Sequence, residues 1–81
     1  MKIKYFAWIK DITDKDEEEI NKDHPKSIDD LKKRLIESYP SLKKHINKNM
    51  LRYAINMEYT STNDELNSKD EIAIFPPVSG G

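Results

Sequence analysis

Asp70-Glu71-Ile72-Ala73-Ile74-Phe75-Pro76-Pro77-Val78-Ser79-Gly80-Gly81 decides how this chain is read. Glu71 to Phe75 alternates, with Ile72 and Ile74 on one side and Phe75 on the other, which predicts a final strand with one core face. Pro76 and Pro77 lack backbone N–H groups and hold φ near −65°, so they end that strand and bias the chain toward an extended exit. Gly80 and Gly81 are the only two glycines among 81 residues. A chain that spends no glycine on its turns and places both at its last positions needs a terminus without β-carbons, and its chemistry is expected at the C-terminal carboxylate of Gly81. Diglycine threads a channel too narrow for side chains and takes backbone angles closed to other residues. The six residues Pro76 to Gly81, fully extended, reach roughly 20 Å. The competing reading is a frayed end or an expression scar. That leaves the apolar strand running into Pro-Pro-Val unexplained.

Upstream, apolar residues alternate from Lys2 to Lys10. Ile3, Tyr5, Ala7 and Ile9 share one face and Lys2, Lys4, Phe6, Trp8 and Lys10 the other, which predicts a first strand. The acidic run Asp11 to Glu19 reads as a solvated edge whose charge discourages edge pairing, with a second strand around Glu17 to Asn21 only as hairpin partner of the first. Ser27 followed by Asp29 and Asp30 is a helix N-cap with acids in the first turn. Ile28, Leu31 and Leu35 then recur at helical spacing, Tyr39 extending the row, and the helix stops before Pro40. Ser41 to Asn47 adds a short helical turn anchored by Leu42 and Ile46. Leu51 to Met57 reads as a strand, Tyr59 to Lys69 as polar and turn-rich with Leu66 its anchor, and Glu71 to Phe75 as the last strand. Strand, strand, helix, strand, strand is the order of a mixed α+β sheet packed on one main helix. Its expected core is Ile3, Tyr5, Leu31, Leu35, Ile55, Ile72 and Ile74. One domain, residues 1–75, with a mobile tail, 76–81, is expected.

Composition narrows the function. A domain this small buries only about 60–65% of its unfolded surface, so no deep active-site cavity is expected. Fourteen basic and fifteen acidic residues give a net charge of −1, no case for nucleic acid or an anionic membrane as partner. No apolar run approaches a membrane span and the start Met1-Lys2-Ile3-Lys4 lacks a signal core, so a cytoplasmic location is the default expectation. Without cysteine there is no disulfide, zinc knuckle or thiol nucleophile. Sulfur, if the protein handles it, cannot sit on one of its own side chains.

His24 and His45 stand alone, without a second ligand at helical spacing, and no metal site is expected. Asp14 to Glu19 lacks the spacing and glycine of a calcium loop. Lys43, Lys44 and Lys48 form a small basic patch, read as a solvated face. Phe6, Trp8 and Phe75 lie opposite the helix-covered face, so they either form an exposed aromatic docking patch or close the edge of the core. A free carboxylate is a poor acyl donor and needs activation, most simply as an acyl adenylate. With both glycines at the terminus the chain has no Gly-rich phosphate loop for ATP. Activation must come from a partner enzyme.

The terminal block quoted above, with weaker support from Tyr5-Phe6-Ala7 and Ala54-Ile55-Asn56, resembles the family of molybdopterin synthase small subunits, sulfur carriers with the ubiquitin-like β-grasp fold. Between Asp11 and Ser27, and between Ser41 and Met50, the likeness is architectural only. Lys69 departs from the glycine or asparagine often found before the final strand, which touches the turn geometry alone. The resemblance implies that an adenylyltransferase related to ubiquitin-activating enzymes adenylates Gly81 with ATP, the chain itself binding no cofactor. A sulfur donor such as a cysteine desulfurase or rhodanese then makes the thiocarboxylate. The tail Pro76, Pro77, Val78, Ser79 and Gly80 enters the large synthase subunit, in a heterotetramer of two small and two large subunits. There sulfur passes to cyclic pyranopterin monophosphate to form the dithiolene, two carriers being used for each. The acid and base belong to the large subunit, and this chain is a non-catalytic, sulfur-donating subunit.

Two rivals share the diglycine. The sulfur carrier of thiamine synthesis is usually shorter and lacks Phe-Pro-Pro-Val. A ubiquitin-like modifier forms isopeptides with lysines. All use an acyl adenylate, so the product separates them: a dithiolene pterin, a thiazole or a protein conjugate.

Overall fold

The computed structural model describes residues 1–77; the expected thiocarboxylate position Gly81, with Val78, Ser79 and Gly80, lies outside the described residues. Five strands form one sheet in the order β2-β1-β5-β3-β4. They are β1 (Lys2–Tyr5), β2 (Glu17–Glu19), β3 (Arg52–Ile55), β4 (Glu58–Thr60) and β5 (Glu71–Phe75). The first and last strands lie side by side in the centre, parallel, with Ile3 opposite Ile72 and Tyr5 opposite Ile74. Pairs β1–β2, β3–β4 and β3–β5 are antiparallel.

The helix α2 (Ile28–Ser38) begins as the sequence dictates: the Ser27 hydroxyl accepts the Asp30 N–H at 3.2 Å, with Asp29 and Asp30 in the first turn. This satisfies one of the free N–H groups at a helix start. Tyr39 closes the helix just before Pro40, and Pro40–Leu42 forms a 3-10 turn leading into α3 (Lys43–Asn47). Ile28, Leu31 and Leu35 pack on the sheet face that carries Ile3, Tyr5, Tyr53, Ile72 and Ile74. Ile72 and Ile74 are fully buried. Six of the seven expected core residues are buried; Ile55, beside the turn at Asn56 and Met57, is half-buried and packs at the margin of that core.

Two elements differ from expectation. The first strand ends at Tyr5 rather than Lys10, and α1 (Trp8–Thr13) follows it. Ala7, at φ 55° and ψ −139°, turns the chain. Ile9 is buried as expected, but on a helix, where Ile9, Ile12 and Thr13 fall at helical spacing and outcompete the period-two pattern. The second difference is β4, which pairs with β3 in register Tyr53–Thr60, Ala54–Tyr59 and Ile55–Glu58. The connection is a two-residue turn, Asn56 at φ 50° and Met57 at φ 71°. Such turns match strand twist and normally carry glycine, which this sequence withholds.

The scarcity of glycine is thereby explained. Among the described residues six non-glycines take positive φ, namely Ala7, Asp14, Asp23, Asn49, Asn56 and Met57. Four are Asp or Asn, which tolerate the left-handed region through local hydrogen bonding. Before the final strand Lys69 needs no positive φ, because the Asp70 carboxylate accepts the Asn67 N–H at 2.8 Å and the Asn56 amide at 2.9 Å, pinning the turn.

Besides its ladder to β1, the edge strand β2 is tied to the core by one carboxylate. Glu18 faces the core side and its Oε2 accepts from the Tyr5 hydroxyl at 2.5 Å and the Tyr39 hydroxyl at 2.8 Å. The other acids of the run, Asp11, Asp14, Asp16, Glu17 and Glu19, are exposed as expected, Glu17 with Lys2 beside it at 3.5 Å.

Candidate functional site

Alternation along the strands puts Lys2, Lys4, Glu17, Glu71, Ala73, Phe75, Arg52, Ala54 and Tyr59 on the sheet face away from α2. On the β1 side this open face is charged. Lys4 Nζ lies 2.9 Å from Glu71 and Lys2 Nζ 3.5 Å from Glu17. The hydrogen bond and charge of Lys4 hold the Glu71 carboxyl below its ordinary pKa, and Glu71 in turn raises that of Lys4.

Beyond this ion pair the face turns apolar, next to the point where the tail leaves. Phe75 is half-buried and Tyr59 is 79% exposed, their ring centroids 5.3 Å apart across β3. Ala54 lies on that strand between them and is buried. A larger side chain there would keep the rings apart. Offset, tilted aromatic pairs of this kind are favourable. Pro76 and Pro77 follow directly, half-buried and outside any strand.

The aromatic residues singled out in the sequence are separated by the fold. Phe75 is on the open face as expected. Phe6 follows β1 and is 46% exposed; its N–H donates to the Ile74 carbonyl at 3.0 Å, which sets its backbone beside the end of β5. Trp8 is not on the open face. Because β1 ends early, it sits on α1, half-buried against the core, with its ring 4.6 Å from that of His45. Tyr59, the ring that partners Phe75, was missed by sequence reasoning. Its segment was read as loop, and the one signal available, an aromatic residue opposite Ala54 after a two-residue Asn-containing turn, is weak without glycine.

Among the described residues no cluster of three or more His, Asp or Glu is placed to hold a metal ion, and no helix is long and apolar enough to cross a membrane.

Comparison with known proteins agrees with this layout. A family model described as the ThiS family matches residues 3–81. The molybdopterin synthase sulfur carrier subunit of Dictyostelium discoideum is 39% identical over an alignment of 83 positions, covering 99% of this chain and 94% of that protein. Among solved structures, a Pyrococcus furiosus chain provisionally named molybdopterin converting factor, subunit 1, superposes with a TM-score of 0.80 at 29% identity, covering 95% of each chain. Small archaeal modifier protein 1 of Methanosarcina acetivorans superposes at 0.72 with 29% identity, covering 99% of this chain and 94% of that one. The sheet and helix are the ubiquitin-like β-grasp.

Proposed function

The chain belongs to the ThiS family, and from that premise we propose that it is the sulfur carrier subunit of a molybdopterin synthase. The observation that carries the reading is the similarity, over nearly its full length, to a carrier of that name, with Gly80-Gly81 at the end of the sequence. In the proposed cycle the Gly81 carboxylate attacks the α-phosphorus of ATP on an activating enzyme, forming the acyl adenylate and releasing pyrophosphate. A sulfur donor displaces AMP, and the thiocarboxylate enters the large synthase subunit, where it delivers sulfur to the pterin. Sulfur is the better nucleophile, and a tethered tail replaces dilute sulfide with a high local concentration. The acid and base of the transfer belong to the large subunit.

Docking is proposed to use the open face, with Phe75 central and Phe6 at its border. A buried aromatic anchor is typically worth 2 kcal/mol or more. Phe75→Ala is therefore expected to weaken binding to the large subunit and to the activating enzyme by about 2 kcal/mol in calorimetry, with the β-grasp fold intact by circular dichroism. Unchanged affinity for both partners would remove the open face from the proposed interface.

The likeness to an archaeal modifier protein keeps one second reading in view, isopeptide conjugation through the same adenylate. The two differ in product. A carrier yields a thiocarboxylate at Gly81, and a modifier yields chains attached to substrate lysines.

A further inference from the structure

Two hollows flank the end of the β3–β4 ladder and share Arg52, Tyr53, Thr60 and Ser61 as walls. One, about 310 Å³, opens beside Tyr59 and Phe75; the other, about 260 Å³, runs to Lys32 on α2. Together they make one trough leading from the ring pair around the sheet edge to the helix. Its two cations have no acidic partner: among the described residues neither Lys32 nor Arg52 lies within 4.0 Å of a carboxylate. Arg52 Nη1 donates to the carbonyls of Asn49 at 2.8 Å and Leu51 at 3.1 Å, which fixes the guanidinium and leaves further N–H groups for a ligand.

The wall common to both hollows carries an anomaly. Tyr53 is only 6% exposed, and among the described residues its buried hydroxyl has no hydrogen-bond partner. Native proteins seldom leave such a group without a partner. Burial also pushes its pKa up, so it remains a neutral donor. Lys32 Nζ lies over the same ring, 5.6 Å from its centroid. Thr60 and Thr62 turn their hydroxyl protons to Asp64 and contribute none.

We propose that this trough is a docking site for an acidic segment of a partner protein, with a carboxylate held between Lys32, Arg52 and the Tyr53 hydroxyl and the adjoining apolar side chain seated on Tyr59 and Phe75. Two unpaired cations and an orphan donor select an anion, and the contiguous ring pair selects a peptide over a small free ion. The proposal rests on the carrier reading only in that a carrier must dock on partner proteins.

The test is a nuclear magnetic resonance titration of the full chain with the peptide acetyl-Leu-Glu-Glu-amide, against acetyl-Leu-Gln-Gln-amide and inorganic phosphate. The acidic peptide is expected to shift signals of Lys32, Arg52 and Tyr59 and to bind about fivefold more tightly than the neutral one, the scale of a partly exposed ion pair. Lys32→Gln and Arg52→Gln should each erase most of that preference. Tyr53→Phe should reduce acidic-peptide binding while leaving the melting temperature unchanged or higher, since it removes an unsatisfied hydroxyl. Equal affinity for the two peptides, no shift at millimolar peptide, unchanged binding by Tyr53→Phe, or shifts with phosphate alone would each overturn the proposal. None of these probes involves ATP or sulfur, so failure here leaves the carrier reading standing, and failure of thiocarboxylate formation leaves the trough standing.

Discussion

Lys4 and Glu71 join the two central strands on the open face at 2.9 Å, and their titration gives a direct readout of that pairing. The folded pKa of Glu71 is depressed, first through the Lys4 hydrogen bond and then through its charge. The contribution to stability is thus present above the unfolded carboxylate pKa and lost as pH falls through the folded value. The raised pKa of Lys4 acts at the other end, its contribution being lost only as pH rises through the folded lysine value. Both side chains are partly open to solvent, so the pair sets protonation more than it holds the fold. Carbon-detected titration should find the Glu71 carboxyl below the ordinary glutamate range, and Lys4→Met should return it there. A Glu71 that titrates normally in the unaltered chain would show that the ion pair does not form in solution. At this scale the sequence was informative where a side chain has one local task, as with Ser27 at the helix cap. It was silent where the partner comes from elsewhere: nothing in Glu17-Glu18-Glu19 marks Glu18 as the one that bonds Tyr5 and Tyr39.

Among the elements, α2 was legible from end to end because its cap, its apolar row and its stop at Pro40 are all written locally. Ser27→Ala should cost about 1 kcal/mol, as for other lost N-caps. Leu31→Ala, which hollows the core beneath the sheet, should cost 2–5 kcal/mol. Urea denaturation of both variants checks this, and a Leu31→Ala loss no larger than that of Ser27→Ala would mean that the helix is not packed on the sheet as described. The elements that escaped reading did so for physical reasons. β4 is three residues with a single apolar side chain, and the Asn56 and Met57 turn adopts positive φ without glycine. For α1 the residues Ala7 and Ile9 happen to continue the alternation of β1, and only the positive φ at Ala7 breaks it. These two misreadings account for the misplaced Trp8 and the overlooked Tyr59. The ring pair was therefore half legible, Phe75 in the sequence and Tyr59 only in the fold.

At the scale of the molecule, the small sheet covers one face with α2 and leaves the other open, and Pro76 and Pro77 follow the central strand beside the ring pair. The β-grasp was legible because its two central strands are the most regular blocks of the sequence. The Gly80-Gly81 end stood out because glycine occurs nowhere else in the sequence. The trough at Arg52 and Tyr53 was not, since it is assembled from α2, β3 and the chain after β4. The central claim concerns one atom of the Gly81 carboxylate, and intact-mass analysis after incubation with the activating enzyme, ATP and a sulfur donor tests it most directly. The prediction is a C-terminus in which one oxygen has been replaced by sulfur, absent when ATP is withheld and absent from a chain lacking Gly81. A chain that retains its carboxylate under those conditions, or one recovered only as conjugates on substrate lysines, would contradict it.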